Sequence, residues 1–144
     1  MNDTRPRIDK IEVGHTFAPL VFIVDQELIA KYVDTVEDRD PLHRDPSCAE
    51  STGYSGVVAP PTIAALYVLK AYRTDWVPPS GGVHLRQRFK FHRSIVAGDV
   101  LNIQARVVDN SVKKGKRFLV IESSAQNQDG ALTVWSETTS FWPE

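Results

Sequence analysis

The stretch at residues 63–72, IAALYVLKAY, carries Lys70 as its one charged side chain and shows no polar stripe at helical spacing. A helix that is apolar nearly all round has to be enclosed by other elements. Pro60, Pro61 and Thr62 precede it, and proline is favourable at the first helical position. The fold must therefore bring a large apolar surface to this one helix.

The second half of the chain supplies that surface as strands. In VHLRQRFKFH, at 83–92, Val83, Leu85, Phe89 and Phe91 alternate with His84, Arg86, Arg88, Lys90 and His92. Period-two alternation of this kind makes a strand with one wet face, and Arg86, Arg88 and Lys90 belong to that polar set. Ala97-Gly98-Asp99 turns into VLNIQARVVD, where Leu101, Ile103, Ala105 and Val107 are the apolar positions. A charged hairpin tip at Lys113-Lys114-Gly115-Lys116 leads into RFLVIESSAQN. The turn at Gln128-Asp129-Gly130 then leads into LTVWSETTSFW.

The first half is more mixed. Residues 1–10, polar and carrying Pro6, read as a loose arm. Residues 15–25, HTFAPLVFIVD, read as a strand with Pro19 near its start. Asp25 is a good N-cap for QELIAKYVDTV, in which Leu28, Ile29, Tyr32, Val33 and Val36 share a face. Between residues 37 and 60 the chain has too many breakers for one element. Asp-Pro occurs at 40–41 and 45–46, residues 46–50 have room for a helical turn or two, and Gly53-Tyr54-Ser55-Gly56 reads as a turn. A connection this long inside a compact domain is usually functional.

A chain of 144 residues is expected to form one domain, 1–144, with its own core. A formal net charge of −1 gives no electrostatic footprint for nucleic acid or an anionic membrane. The lone Cys48 excludes an internal disulfide, and no apolar run reaches the length of a membrane span. A cytoplasmic location is the expectation. The order strand, helix, long loop, apolar helix, four strands gives an α+β fold, a curved antiparallel sheet wrapped around one central hydrophobic helix.

The loop before that helix carries the chemistry. DRDPLHRD at 38–45, followed by GYSGVVA at 53–59 and then the apolar helix, resembles the MaoC-like hotdog hydratases and dehydratases, including the (R)-specific enoyl-CoA hydratases. Their pattern is D-x-N-P-x-H followed by G-[FY]-x-G-x-[IV]-A, and FKFHRSIVAGD at 89–99 is also similar to the family's strand and turn. The resemblance implies the hotdog fold and catalysis by Asp38 and His43. It implies substrate contacts around Asp40, Gly56, Ala59, Pro61 and Thr62, with no cofactor and no metal. The implied substrate is an acyl-CoA or acyl-carrier-protein thioester, and the implied assembly a homodimer or a heterodimer with a related chain. Asp40 stands where the family has Asn, which keeps an acceptor and loses an amide donor. Ala59-Pro60-Pro61-Thr62 stands where the hydratases have Ala-His-Gly-Met. Pro61 has no N–H, so the family's backbone donor to the thioester oxygen is missing there, and the Thr62 N–H is the substitute expected.

The implied reaction is reversible addition of water to a 2-enoyl thioester, giving a (3R)-3-hydroxyacyl thioester. Imidazole suits proton exchange because its unperturbed pKa is about 6.5. Two alternatives stay open. A non-catalytic acyl-thioester-binding subunit is favoured by Pro61. A hotdog thioesterase is disfavoured because residues 61–72 contain no Asp or Glu.

Overall fold

The computed structural model describes residues 7–143. In chain order it contains β1 (Leu20–Val24), α1 (Gln26–Thr35), α2 (Pro46–Ser51), α3 (Ala64–Ala71), β2 (Val83–Phe91), β3 (Asp99–Lys113), β4 (Lys116–Gln126) and β5 (Leu132–Pro143). Short 3-10 turns occupy Ile8–Lys10, Pro41–His43 and Pro61–Ile63. Of the arm expected at 1–10, residues 1–6 lie outside the described residues. Ile8–Lys10 is tied down, because the Asn110 side-chain amide donates to the Ile8 and Ile11 carbonyls at 2.9 and 2.6 Å. Among the described residues no helix is long and apolar enough to cross a membrane.

The strands form one five-stranded antiparallel sheet in the order β1-β3-β4-β5-β2. The long hairpins β3-β4 and β4-β5 make its centre, and β1 and β2 are its edges. Lys113 pairs with Lys116, and both residues between them are left-handed, Lys114 at φ 52° and Gly115 at φ 68°. That is the backbone twist a two-residue hairpin needs, and glycine supplies half of it without strain.

Leu101, Ile103, Ala105 and Val107 of β3 turn inward, as their alternation requires, and are at most 3% exposed. With Leu119, Ile121 and Ala125 of β4 they meet Ile63, Ala64, Tyr67, Val68 and Ala71 of the apolar helix in one core. This is the hotdog arrangement of sheet and helix. At about 25 cal/mol per Å² of apolar surface, each such large side chain contributes roughly 1.5–3 kcal/mol on burial.

Three expectations change in detail. The strand anticipated at 15–25 forms only as Leu20–Val24, directly after Pro19, with Thr16 making an isolated bridge to Arg106. The helix α3 is not enclosed on every side: Thr62, Leu66 and Lys70 are exposed, Leu66 by 43%. One sheet covers half a cylinder, so the far stripe of the helix stays open. In β2 a bulge between His84 and Arg86 breaks the alternation. Gln87, Phe89 and Phe91 stand opposite Thr138, Ser136 and Val134 on the inner face, whereas Leu85 is unpaired and 55% exposed.

The outer face carries the polar set. Arg106 pairs with Glu122 at 2.9 Å and Arg88 with Glu137 at 3.2 Å, the latter guanidinium also lying over the Trp135 ring. Exposed pairs of this kind add little stability, but they keep that face wet.

Candidate functional site

The site begins where α1 ends. Asp25 caps α1 by accepting from the Leu28 amide at 2.7 Å, and Ile29 and Val33 anchor the helix in the core. After Val36 the chain reverses through Glu37, whose φ of 56° is left-handed. The Asp38 amide then donates to the Val33 carbonyl at 2.9 Å. This is the hydrogen bond of a helix stop that usually employs glycine. It fixes where Asp38 stands.

Short polar contacts stiffen the next turn. The Asp38 carboxylate accepts from the Asp40 amide at 2.9 Å. Arg44 donates to the Asp38 carbonyl at 2.6 Å and to the Asp34 carboxylate at 2.8 Å, fastening the loop to the end of α1. Asp40 caps Pro41–His43 by accepting from the Leu42 amide, and Asp45 caps α2 by accepting from the Ser47 amide, both at 2.9 Å. Both carboxylates thus act as caps. Among the described residues no three His, Cys, Asp or Glu side chains converge as metal ligands.

His43 ends the 3-10 turn, and its Nδ1 lies 2.7 Å from the Val58 carbonyl. A carbonyl only accepts, so Nδ1 carries the hydrogen and, in the neutral ring, Nε2 is left with its lone pair. Nε2 faces Asp38 Oδ2 at 4.0 Å, the imidazole side chain 12% exposed and the carboxylate 30%. That separation is too long for a direct hydrogen bond. Val58 is held in turn: its amide donates to the Leu42 carbonyl, and Val57 and Ala59 bond to Ala97 and Ile95 on the far side.

His43 lines a cavity of about 450 Å³ whose wall includes Tyr54, Ala59, Pro61, Ile63 and Phe91. The motif residues Ala59 and Pro61 thus meet His43 around one space, with Asp38 beside the imidazole. Asp40, Gly56 and Thr62 do not line it. A Cβ on Gly56 would meet only the Ala97 carbonyl, at 3.8 Å, so close packing does not demand glycine there. The Thr62 hydroxyl accepts from the Tyr32 hydroxyl at 2.9 Å, bracing the start of the α3 turn against α1. The Thr62 amide makes no backbone hydrogen bond among the described residues.

Sequence reasoning missed Phe91, Ile95 and Tyr54. Phe91 reaches the cavity from the inner face of β2 opposite Val134, and Tyr54 is placed by a 3.2 Å contact between its hydroxyl and that of Ser94. Tyr54 and Ile95 stand within the motif stretches and Phe91 within the apolar alternation of 83–92, but none of those patterns by itself names a cavity wall. The tryptophans lie elsewhere. Trp76 and Trp142, with ring centroids 6.4 Å apart, line a second cavity of about 340 Å³ beyond the other end of α3, and Trp135 sits under Arg88 outside.

Residues 12–134 match the family model described as FAS1-like, dehydratase domain region. A UPF0336 protein of Saccharopolyspora erythraea is 33% identical over 139 residues, covering 92% of this chain and 89% of that protein. One of Thermobifida fusca is 31% identical over 126 residues, covering 83% of each. Among solved structures, the HadBC (3R-hydroxyacyl-ACP dehydratase) complex of Mycobacterium tuberculosis aligns with a TM-score of 0.79 at 27% identity, over 90% of this chain and 96% of that one. The unliganded R-hydratase PhaJ1 of Pseudomonas aeruginosa aligns with a TM-score of 0.81 at 23% identity, over 96% and 86%.

Proposed function

The chain belongs to the FAS1-like, dehydratase domain region family, whose fold is MaoC-like hotdog, and from that premise we propose that it hydrates 2-enoyl thioesters reversibly, with Asp38 and His43 as the acid–base pair. The observation that carries this reading is the anchored imidazole. With Nδ1 committed to Val58, the free Nε2 stands 4.0 Å from the Asp38 carboxylate. A gap of that length beside a cavity suits one water bonded to both groups. In the hydration direction the Asp38 carboxylate accepts a hydrogen bond from one O–H of that water, and that hydrogen stays on the oxygen. His43 Nε2 takes the other hydrogen as the oxygen bonds to C3, and returns it to C2 on the same face. The product is the (3R)-3-hydroxyacyl thioester, and reversal of each step is the dehydration.

Charge develops on the thioester oxygen during this step. The Thr62 amide makes no backbone hydrogen bond among the described residues and belongs to the turn between the cavity residues Pro61 and Ile63. Although the Thr62 side chain does not line the cavity, this amide is the donor assigned to the oxygen. Its use compensates for Pro61, which has no N–H to offer. The substrate is an acyl-CoA or an acyl-carrier-protein thioester, and the unit is one domain spanning 1–144.

The edge strand β2 argues for a paired assembly. Val83 and Leu85 on it are 45% and 55% exposed, and among the described residues one side of its backbone has no strand beside it. An apolar open edge is a pairing surface. The chain is assigned to a dimer through β2, with a second copy or a related hotdog chain.

The assay is loss of the conjugated enoyl-thioester absorbance on adding the pure protein to crotonyl-CoA. Hydration abolished in Asp38→Asn and His43→Ala supports the reading. A second reading, a non-catalytic acyl-thioester-binding subunit, draws on Pro61. Binding without turnover, alone and with a partner chain, selects it. Release of free thiol selects a thioesterase.

A further inference from the structure

We infer that Gln87 sets the length of acyl chain this protein accepts, by closing the cavity beside His43 against the second cavity at the far end of α3; the inference rests on the thioester reading above. Each cavity takes part of its wall from β2 and part from β5. Phe91 and its β5 partner Val134 line the first, of about 450 Å³. His84 and its partner Ser140, with Thr138, line the second, of about 340 Å³. Between them stand Phe89 opposite Ser136 and Gln87 opposite Thr138. From Val134 to Thr138 is four residues of strand, roughly 13 Å at ~3.3 Å each.

Gln87 crosses that interval as a closed rung. Its Nε2 donates to Ser136 Oγ at 2.5 Å, and its Oε1 accepts from Thr138 Oγ1 at 2.9 Å. Ser136 and Thr138 are 0% and 3% exposed. Both ends of the amide are therefore occupied by buried hydroxyls. A methylene chain advancing from His43 would have to part these bonds and leave the groups unpaired in an apolar surrounding, which is strongly unfavourable. The rung makes a wall, and the acyl groups that fit stop short of it. Beyond it the second cavity, with Trp76 and Trp142 on its wall, offers apolar surface that a chain reaches only once the rung is removed.

The experiment compares crotonyl-CoA with dodecenoyl-CoA as substrates, and S-butyl-CoA with S-dodecyl-CoA as non-reacting ligands by calorimetry, in the wild type, Gln87→Ala and Gln87→Ser. Serine keeps a hydroxyl for the buried partners and guards against loss of the fold, which circular dichroism monitors. The wild type is expected to favour the short probe in both measurements. In the variants the long-to-short ratio of kcat/KM and of affinity is expected to rise about tenfold or more, the scale on which pocket length discriminates apolar groups. A wild type that takes both lengths equally or prefers the long one overturns the inference, as does an unmoved ratio in a folded variant. If the wild type hydrates neither substrate, the hydratase reading falls, while the two alkyl thioethers still decide the role of Gln87.

Discussion

The imidazole Nδ1 of His43 is 2.7 Å from the carbonyl oxygen of Val58, and that one bond decides which nitrogen of the ring is free. It spans the loop from the 3-10 turn to the segment entering α3, so the catalytic candidate and the helix it serves are positioned together. Main-chain carbonyls do not mutate, which makes the tautomer a property of the fold.

Removing either member of the pair tests the mechanism. General acid–base groups contribute typically ~10²–10⁴-fold. His43→Ala and Asp38→Asn are each expected to lower kcat for crotonyl-CoA hydration by that order. The double variant should lose little more than the worse single one, because the two act on one water. Stopped-flow absorbance measures both. Independent, additive losses would contradict a shared water.

Glu37 holds the left-handed conformation that places Asp38. For an L-residue this costs about 1–2 kcal/mol, and glycine is free of the clash, though its own chain entropy offsets part of the gain. Glu37→Gly is therefore expected to raise the unfolding free energy by about 1 kcal/mol in urea titrations. A loss of stability would mean that the Glu37 side chain makes up for its backbone.

Tyr67 is 0% exposed and its hydroxyl has no hydrogen-bond partner among the described residues. An orphan buried polar group costs about 1–3 kcal/mol, so Tyr67→Phe is expected to stabilise the protein by about 1 kcal/mol at neutral pH. Burial also pushes the Tyr67 and Tyr72 phenols upward in pKa. Above about pH 10 the unfolded chain sheds phenolic protons that the folded one keeps, so stability falls as pH rises. The Phe variant should show a shallower alkaline decline in melting temperature. An identical decline would locate the alkaline loss elsewhere.

The open edge gives a hydrodynamic test. Leu85, unpaired at the β2 bulge and 55% exposed, is a suitable site for a gatekeeping charge. Leu85→Lys is expected to move the proposed dimer toward monomer in light scattering behind a sizing column, with the far-ultraviolet spectrum retained. A wild type that is already monomeric at working concentration sinks the β2 pairing.

Much of this architecture is written locally. Alternation in β3 names the four side chains that turn inward, Asp25 announces the start of α1, and the apolar run after Pro61 announces the helix that the sheet must cover. The motif around Asp38 and His43 is equally local, since prolines and short carboxylate caps hold the turn within a few residues.

Other features come only from distant parts meeting. The bulge in β2 takes Val83 and Leu85 off the face that holds Gln87, Phe89 and Phe91, and no pattern in VHLRQRFKFH signals it, because an inserted residue reverses every side chain on one side of it. Periodicity reports the preference of one segment for its own buried face. Which nitrogen of His43 stays free, which side of α3 stays open and which hydroxyls hold Gln87 depend on partners outside the segment itself, 15 residues away for His43 and 49 and 51 for Gln87, and those contacts exist only in the folded chain.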